Sequence, residues 1–201
     1  MARPVNANAQ ATRARILEAA TRLFARAGPE AVSMREIARE ATTTSGTLHH
    51  YFGNKKALHQ ACVDEMYARV AQLQTHMVQQ LSTASSASDL LSGAVRSSYR
   101  LARDNRDAVR LVQRAVLDQG ESSEPQRAQA VTRFLDTAVA LVEPLSSLGA
   151  SECRSMLYAF MLLVNRVALL EHSELARVWP EGDVEDQLVS ASERMLGLRP
   201  G

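Results

Sequence analysis

The side chains best suited to chemistry with an outside partner lie within residues 33–52, which read SMREIAREATTTSGTLHHYF. Ser33 precedes Glu36 by three residues, the spacing of a capping box, so a short helix is predicted to begin here. The four hydroxyl residues 42–45 then interrupt the helical pattern, because their side chains compete with helical backbone hydrogen bonds. A second short helix is predicted over residues 46–51. The stretch thus predicts two short helices joined by a tight turn.

The second of these helices carries more polar groups than packing alone requires. Leu48 and Phe52 lie four residues apart and are its predicted inward anchors. The other side chains present hydroxyl, imidazole and phenol groups: Thr47, His49, His50 and Tyr51. Groups of this kind donate hydrogen bonds to phosphates and to base edges. We interpret the outer face of this helix as a surface for a polyanion.

The charge of the chain is concentrated at its front. Residues 1–60 hold nine basic and four acidic residues, a net charge of +5, which leaves −4 for the remainder. Lys55 and Lys56 are the only lysines, and they stand in the first turn of a predicted long helix. Cations are unfavourable there against the helix dipole, so phosphate contact is the favoured explanation and two solvated surface lysines the alternative.

The composition predicts an all-α protein with a sizeable core. Hydrophobic residues make up 46% of the 201 residues, Gly and Pro are few, and no sustained alternation typical of strands is present. We predict a flexible arm over residues 1–11, a three-helix unit over 12–53 and a helical body over 54–201, of which 54–81 form a connecting helix. Further helices are predicted over 89–103, 105–119, 124–145, 151–172, 174–179 and 183–196. Gly28 should stop the first helix, Pro144 should end or kink another, and Ser151 should cap the next.

Other functional classes have little support in the sequence. Cys62 and Cys153 are too few for a disulfide framework. His59 and Cys62 lie three apart on a helix, but no further ligand completes a metal set, so no metal and no cofactor are expected. We find no nucleophile–base pair and expect no enzyme. The apolar run over residues 156–170 is too short to span a bilayer and no signal peptide opens the chain, so no membrane partner and a cytoplasmic location are expected.

Residues 12–60 resemble the N-terminal DNA-binding domain of the TetR family of bacterial transcriptional regulators. The matching residues are Ile16, Leu17, Glu18, Ala19, Ala20, Leu23, Phe24, Gly28, Met34, Arg35, Glu36, Ile37, Ala38, Gly46, Thr47, Leu48, Tyr51, Phe52, Asn54, Lys55 and Leu58. The resemblance implies a helix-turn-helix whose second helix enters DNA. It implies DNA contacts for Arg35, Thr44, Ser45, Thr47, His49, His50, Tyr51 and Lys55.

The sequence departs from the family pattern at two places. Thr42 and Thr43 stand where the turn usually has Gly and an apolar residue, so either the turn takes another conformation or a β-branched residue tolerates a positive φ. His49 replaces the commoner Tyr, and we expect operator binding to tighten somewhat as the pH falls toward 6.

For the remaining three quarters of the chain, the resemblance implies an effector cavity and a homodimer formed through helix eight and the C-terminal helix. Candidate lining residues are Tyr67, Tyr99, Arg103, Gln113, Arg114, Phe134, Tyr158 and Asn165. Tyr158, Asn165 and His172 recur at seven-residue spacing on one predicted helix that is apolar nearly all round and should be buried on most sides. This polar stripe could contact a ligand, the second subunit or another helix of the same subunit.

The function predicted from these observations is a homodimeric regulator that binds an inverted-repeat operator on double-stranded DNA. It is most simply a repressor released by a small-molecule effector. Two alternatives stay open: an effector-independent or architectural DNA-binding protein, and an enzyme with a vestigial DNA-binding head.

Overall fold

A computed structural model describes residues 5–81, 87–118 and 124–197, and the all-α prediction is confirmed for them. The helices are α1 (Val5–Ala27), α2 (Met34–Glu40), α3 (Ser45–Phe52), α4 (Lys55–Leu81), α5 (Ala87–Asp104), α6 (Arg106–Asp118), α7 (Glu124–Val142), α8 (Ala150–Leu169), α9 (His172–Val178) and α10 (Val184–Met195). A 3₁₀ turn over Glu143–Leu145 follows α7, because Pro144 cannot continue the helix.

The chain divides into two compact units. The first contains residues 1–68 and 107–121, and the second contains residues 69–106 and 122–201. The first unit is thus larger than the predicted three-helix segment, since it takes in the beginning of α4 and nearly all of α6. The sequence predicts a boundary at residue 54, where Gly53 and Asn54 interrupt the helical pattern. In the structure, the residues of α4 up to position 68 pack with the first helices.

The core of the first unit is built from five helices. Ile16 and Phe24 of α1, Ile37 of α2, and Leu48 of α3 are completely buried. The other members of this cluster come from α1, the α1–α2 connection, α2 and the residue that follows it, α4 and α6: Leu17, Ala19, Ala20, Ala25, Val32, Ala38, Ala41, Leu58, Cys62, Val63, Leu111 and Ala115. A unit of α1 and two short helices alone would bury little apolar surface, and residues of α4 and α6 add to the core.

The second unit packs α5, α7, α8 and α10 against one another. Arg100 of α5 binds Glu185 near the start of α10 through two hydrogen bonds of 2.8 Å. Arg96, one turn earlier on α5, reaches both Glu185 and Asp186. These guanidinium groups, Arg100 first, hold the pKa of the Glu185 carboxyl below its ordinary value. The interactions fix the register of α5 against α10.

Several predicted helix boundaries differ from the structure. The first helix begins at Val5, seven residues early, because residues 5–11 contain no Gly or Pro to oppose it; residues 1–4 of the predicted arm lie outside the described residues. Gly149, not Ser151, is the N-cap of α8, and Glu152 reaches back to the Gly149 N–H. That helix ends at Leu169, so His172 belongs to α9 and the predicted stripe is divided between two helices.

The burial of α8 also differs from the prediction. One face is buried: Cys153, Leu157, Phe160, Val164, Val167 and Ala168. The opposite face exposes large apolar side chains: Met156, Tyr158, Leu162 and Leu163. The expectation of burial on most sides is therefore wrong for the single chain. In the described part of the chain, no helix is both long and apolar enough to cross a membrane.

Candidate nucleic-acid interface

The two helices at the front of the site are each fixed at their first turn by a hydroxyl cap. Ser33 Oγ accepts the Glu36 N–H at 3.2 Å, while the Glu36 carboxylate accepts the Ser33 N–H at 2.7 Å. These hydrogen bonds lower the pKa of Glu36. Thr44 Oγ1 likewise accepts the Thr47 N–H at 3.1 Å. The predicted capping box of α2 is confirmed, and Thr44 is the N-cap of α3.

The turn between α2 and α3 is a Schellman motif with threonine where glycine is usual. The Thr43 N–H donates to Ala38 O at 2.9 Å, and the Thr42 N–H donates to Arg39 O at 3.2 Å. These are the two hydrogen bonds of that motif, which requires a left-handed residue just after the helix. Thr42 has a φ of 50°, so the backbone keeps its usual conformation and a β-branched residue tolerates it.

Of the four polar side chains predicted on the outer face of α3, two are exposed and two, Thr47 and Tyr51, are half-buried. His49 and His50 are exposed, and Ser45 and Thr47 are half-buried. Leu48 points into the core, and Phe52 packs against the core at the other end. Tyr51 is half-buried beside that core, with its ring in an edge contact to His50 at a centroid distance of 5.5 Å. The helix is thus held by its inner residues. On its outer side Thr47 Oγ1 lies 2.9 Å from Thr44 Oγ1, and one ring nitrogen of His49 contacts Gly53 O.

Basic side chains flank this helix on neighbouring elements. Arg35 is exposed on α2. Lys55, the first residue of α4, places Nζ 3.5 Å from Glu30 O. Arg13 of α1 lies over the Phe52 ring, with 5.6 Å between the guanidinium carbon and the ring centroid. Arg13 is a further candidate for DNA contact. The sequence did not identify it, because only the packing of α1 against α3 brings it beside Phe52. The one sequence feature that pointed to it is the excess of basic residues in the first 60 positions.

The His–Cys positions considered for a metal have a structural role. His59 is buried with its ring edge against Phe24, at a centroid distance of 5.3 Å, and burial lowers the pKa of its imidazole. Cys62 lies beside the Leu17 carbonyl, and burial raises the pKa of its thiol to about 11. Among the described residues, no group of three His, Cys, Asp or Glu side chains could hold a metal ion.

The candidate effector residues are divided between the two units. Tyr67, Gln113 and Arg114 belong to the first unit, with Tyr67 packed against its core. The others belong to the second: Tyr99, Arg103, Phe134, Tyr158 and Asn165. Within that unit Tyr99 is buried, Phe134 and Asn165 are half-buried and Tyr158 is exposed. Neither unit by itself gathers the whole set.

Arg103, one of the candidate lining residues of the effector cavity, has protein partners within the second unit. Its guanidinium donates to Ala168 O at 3.0 Å and Leu170 O at 2.6 Å. Arg106 donates to Leu169 O at 2.7 Å and pairs with Glu171. The last carbonyls of a helix lack partners within it and carry a partial negative charge, which these two cations satisfy. Arg103 therefore stabilises the C-terminus of α8.

Comparison with known proteins agrees with this geometry. Residues 16–62 match the family described as "Bacterial regulatory proteins, tetR family", which confirms the resemblance predicted from the sequence. An uncharacterized HTH-type transcriptional regulator of Mycobacterium tuberculosis is 31% identical over 91 residues, which cover 45% of this chain. The matched segment spans only 44% of that relative's length.

Solved structures with the same fold cover nearly the whole chain. A TetR family transcription regulator from Marinobacter aquaeolei aligns with a TM-score of 0.73 at 16% identity, covering 97% of this chain and all of the other. The regulator AibR, solved in complex with isovaleryl coenzyme A and operator DNA, aligns with a TM-score of 0.66 at 17% identity and covers 94% of this chain and all of its own. The predicted architecture, a helix-turn-helix head with a helical C-terminal part, is confirmed.

Proposed function

We propose that the protein is a sequence-specific DNA-binding transcriptional regulator, from the premise that residues 16–62 match the family of bacterial regulatory proteins called the tetR family. The observation that carries the proposal is the exposed imidazole and hydroxyl face of α3, presented by a Schellman turn and a threonine cap. Such a helix inserts into the major groove while neighbouring cations contact phosphate. DNA in the cytoplasm is the proposed site of action.

The regulator acts as a homodimer formed through α8 and α10. The exposed apolar face of α8 supports this assignment, with Leu162 49% and Met156 38% accessible in the single chain. Exposed apolar patches mark protein interfaces, and helices α8 and α10 already pack together within one subunit. A twofold dimer presents two copies of α3 about 34–36 Å apart, or one further helical turn, and so requires an inverted-repeat operator.

A small-molecule effector binds the C-terminal part and releases the protein from its operator. AibR, which shares this fold, binds isovaleryl coenzyme A and operator DNA, so an acyl-coenzyme A is a reasonable first probe. If such a compound relieves repression, it lowers the affinity of the protein for its operator. By thermodynamic linkage, operator DNA then lowers the affinity for the compound by the same factor. A compound that raises the melting temperature must then also lower operator affinity.

The experiment that tests DNA recognition is selection of binding sites from random double-stranded DNA by the full-length protein. We expect enrichment of one inverted repeat, together with weaker binding by Arg35→Ala. Arg177→Ala removes an exposed arginine from α9 in the second unit and is the matched control, expected to bind as the wild type does. Absence of any enriched sequence would overturn the proposal.

A further inference from the structure

We propose that His49 reads the exocyclic amino group of a cytosine or an adenine in the major groove, through its Nε2 atom. The inference rests on the proposed DNA-binding function and specifies the chemistry of one contact within it. It follows from the way the end of α3 holds the imidazole ring.

The end of α3 is a γ-turn centred on Gly53. Gly53 has φ 74° and ψ −63°, and the Asn54 N–H donates across it to Phe52 O at 2.8 Å. A γ-turn with positive φ is rare and strained, and glycine adopts it most easily because it has no Cβ. The turn places Gly53 O 2.6 Å from His49 Nδ1.

This contact determines which ring nitrogen carries the proton. A carbonyl oxygen can only accept, so the Nδ1 atom of His49 must be the donor. A neutral imidazole has one N–H, and its other nitrogen is an acceptor. His49 is exposed, and in the part of the chain that the structure describes Nε2 has no hydrogen-bond partner. The neutral side chain therefore presents a bare lone pair to whatever α3 contacts.

A bare acceptor restricts the possible partners on DNA. Phosphate oxygens, N7 and O6 of guanine, N7 of adenine and O4 of thymine are all acceptors and offer it no hydrogen. The major-groove donors are N4 of cytosine and N6 of adenine. His49 in its neutral form thus specifies a base through an amino group and does not serve as a phosphate anchor. Protonation of the ring removes this acceptor, so the inference opposes the sequence-based expectation that His49 tightens operator binding toward pH 6.

The tautomer can be tested without DNA. In long-range ¹⁵N–¹H spectra of the full-length protein at about pH 8.5, where ordinary imidazoles are neutral, Nδ1 of His49 should have the shift of a protonated nitrogen and Nε2 that of a bare one. His49→Gln removes the resonances and so assigns them. Protonation at Nε2 would overturn the proposal.

The contact itself can be tested with base analogues in the selected operator. At each major-groove position, adenine is replaced by purine or cytosine by pyrimidin-2-one, which deletes the amino group. At one position in each half-site, the wild type should lose about 3- to 10-fold in affinity while His49→Ala loses nothing further. His50→Ala changes the exposed neighbour and is the control: whatever its own affinity, it should still lose about 3- to 10-fold on amino deletion, as the wild type does.

Two results would contradict the contact. In the first, a 7-deazapurine, which lacks N7, abolishes the difference in affinity between the wild type and His49→Ala, while deletion of the amino group leaves that difference unchanged. The other is an affinity loss in His49→Ala that no base analogue reproduces, which would indicate a phosphate contact. If the wild type selects no operator at all, the proposed function fails; if it selects one and amino deletion shows no coupling to His49, only this inference fails.

Discussion

At the scale of single residues, Thr42 is held in a conformation that its side chain opposes. The Schellman hydrogen bonds require a left-handed residue after α2, and Thr42 accepts a φ of 50° there. A β-branched side chain in this region crowds the neighbouring carbonyl, at a cost of about 1–2 kcal/mol. The turn therefore keeps the geometry that presents α3 and loses some stability.

Replacing Thr42 should recover that stability. We predict that Thr42→Gly raises the free energy of unfolding by about 1 kcal/mol, because glycine has no Cβ to strain. Thr43→Gly is the matched control; Thr43 does not have a positive φ, so glycine there should destabilise by about 0.5–1 kcal/mol. Urea denaturation measures both. Equal destabilisation by the two substitutions would show that Thr42 is not strained.

The buried His59 makes stability depend on pH. Burial against Phe24 lowers the pKa of the His59 imidazole, so the folded state favours its neutral form. The stabilising contribution is complete above the ordinary histidine pKa of about 6.5 and is lost as the pH falls below it, because the unfolded chain then binds more protons.

We predict that the free energy of unfolding falls between about pH 7.5 and 5.5, and that His59→Gln reduces this dependence. His172→Gln changes an exposed histidine of α9 and should leave the dependence unchanged. Thermal melts across this pH range measure the effect. A wild-type profile and a His59→Gln profile with the same slope would refute the role of His59.

At the scale of helices, α2 and α3 depend on caps because they are only seven and eight residues long. Short helices gain little from their own hydrogen bonds, so the partners of their first N–H groups matter. We predict that Ser33→Ala lowers the free energy of unfolding by about 1 kcal/mol. Ser45→Ala removes a hydroxyl that follows the cap of α3 and should cost little. Equal free energies of unfolding for the two variants, measured by urea denaturation, would contradict the capping assignment.

The same elements show what the sequence could predict. Caps, stop signals and the face of α3 depend on residues within a few positions of one another, and the patterns at Ser33, Gly28 and Pro144 identified them. Contacts between distant segments gave no such signal. The contacts of Arg103 with the carbonyls of Ala168 and Leu170 could not be predicted, because these residues lie more than 60 positions away and any residue type supplies a carbonyl.

At the scale of the whole molecule, an apolar helix face was predicted but its exposure was not. Periodicity shows that α8 is apolar on several sides, and it does not show which sides the same chain covers. The structure leaves Leu162 and Leu163 exposed, and we assign this face to a second copy.

Dimerisation through this face has a direct test. We predict that Leu162→Arg produces monomers, because a charge buried without a partner in an apolar interface is strongly unfavourable. Val178→Arg places the same charge at an even more exposed apolar residue of α9, and it should remain dimeric. Analytical ultracentrifugation with circular dichroism separates dissociation from unfolding. A Leu162→Arg dimer of wild-type affinity would exclude this interface.

The central claim, that the outer face of α3 reads DNA, is tested most directly by the affinity of two α3 variants for the selected operator. Fluorescence anisotropy should show Thr47→Ala and Tyr51→Phe binding at least about fivefold more weakly than the wild type, with unchanged dimerisation. Thr137→Ala changes a half-buried threonine of α7 whose hydroxyl donates to Arg133 O of the same helix, and this variant should bind normally. Wild-type affinity in both α3 variants would contradict the account.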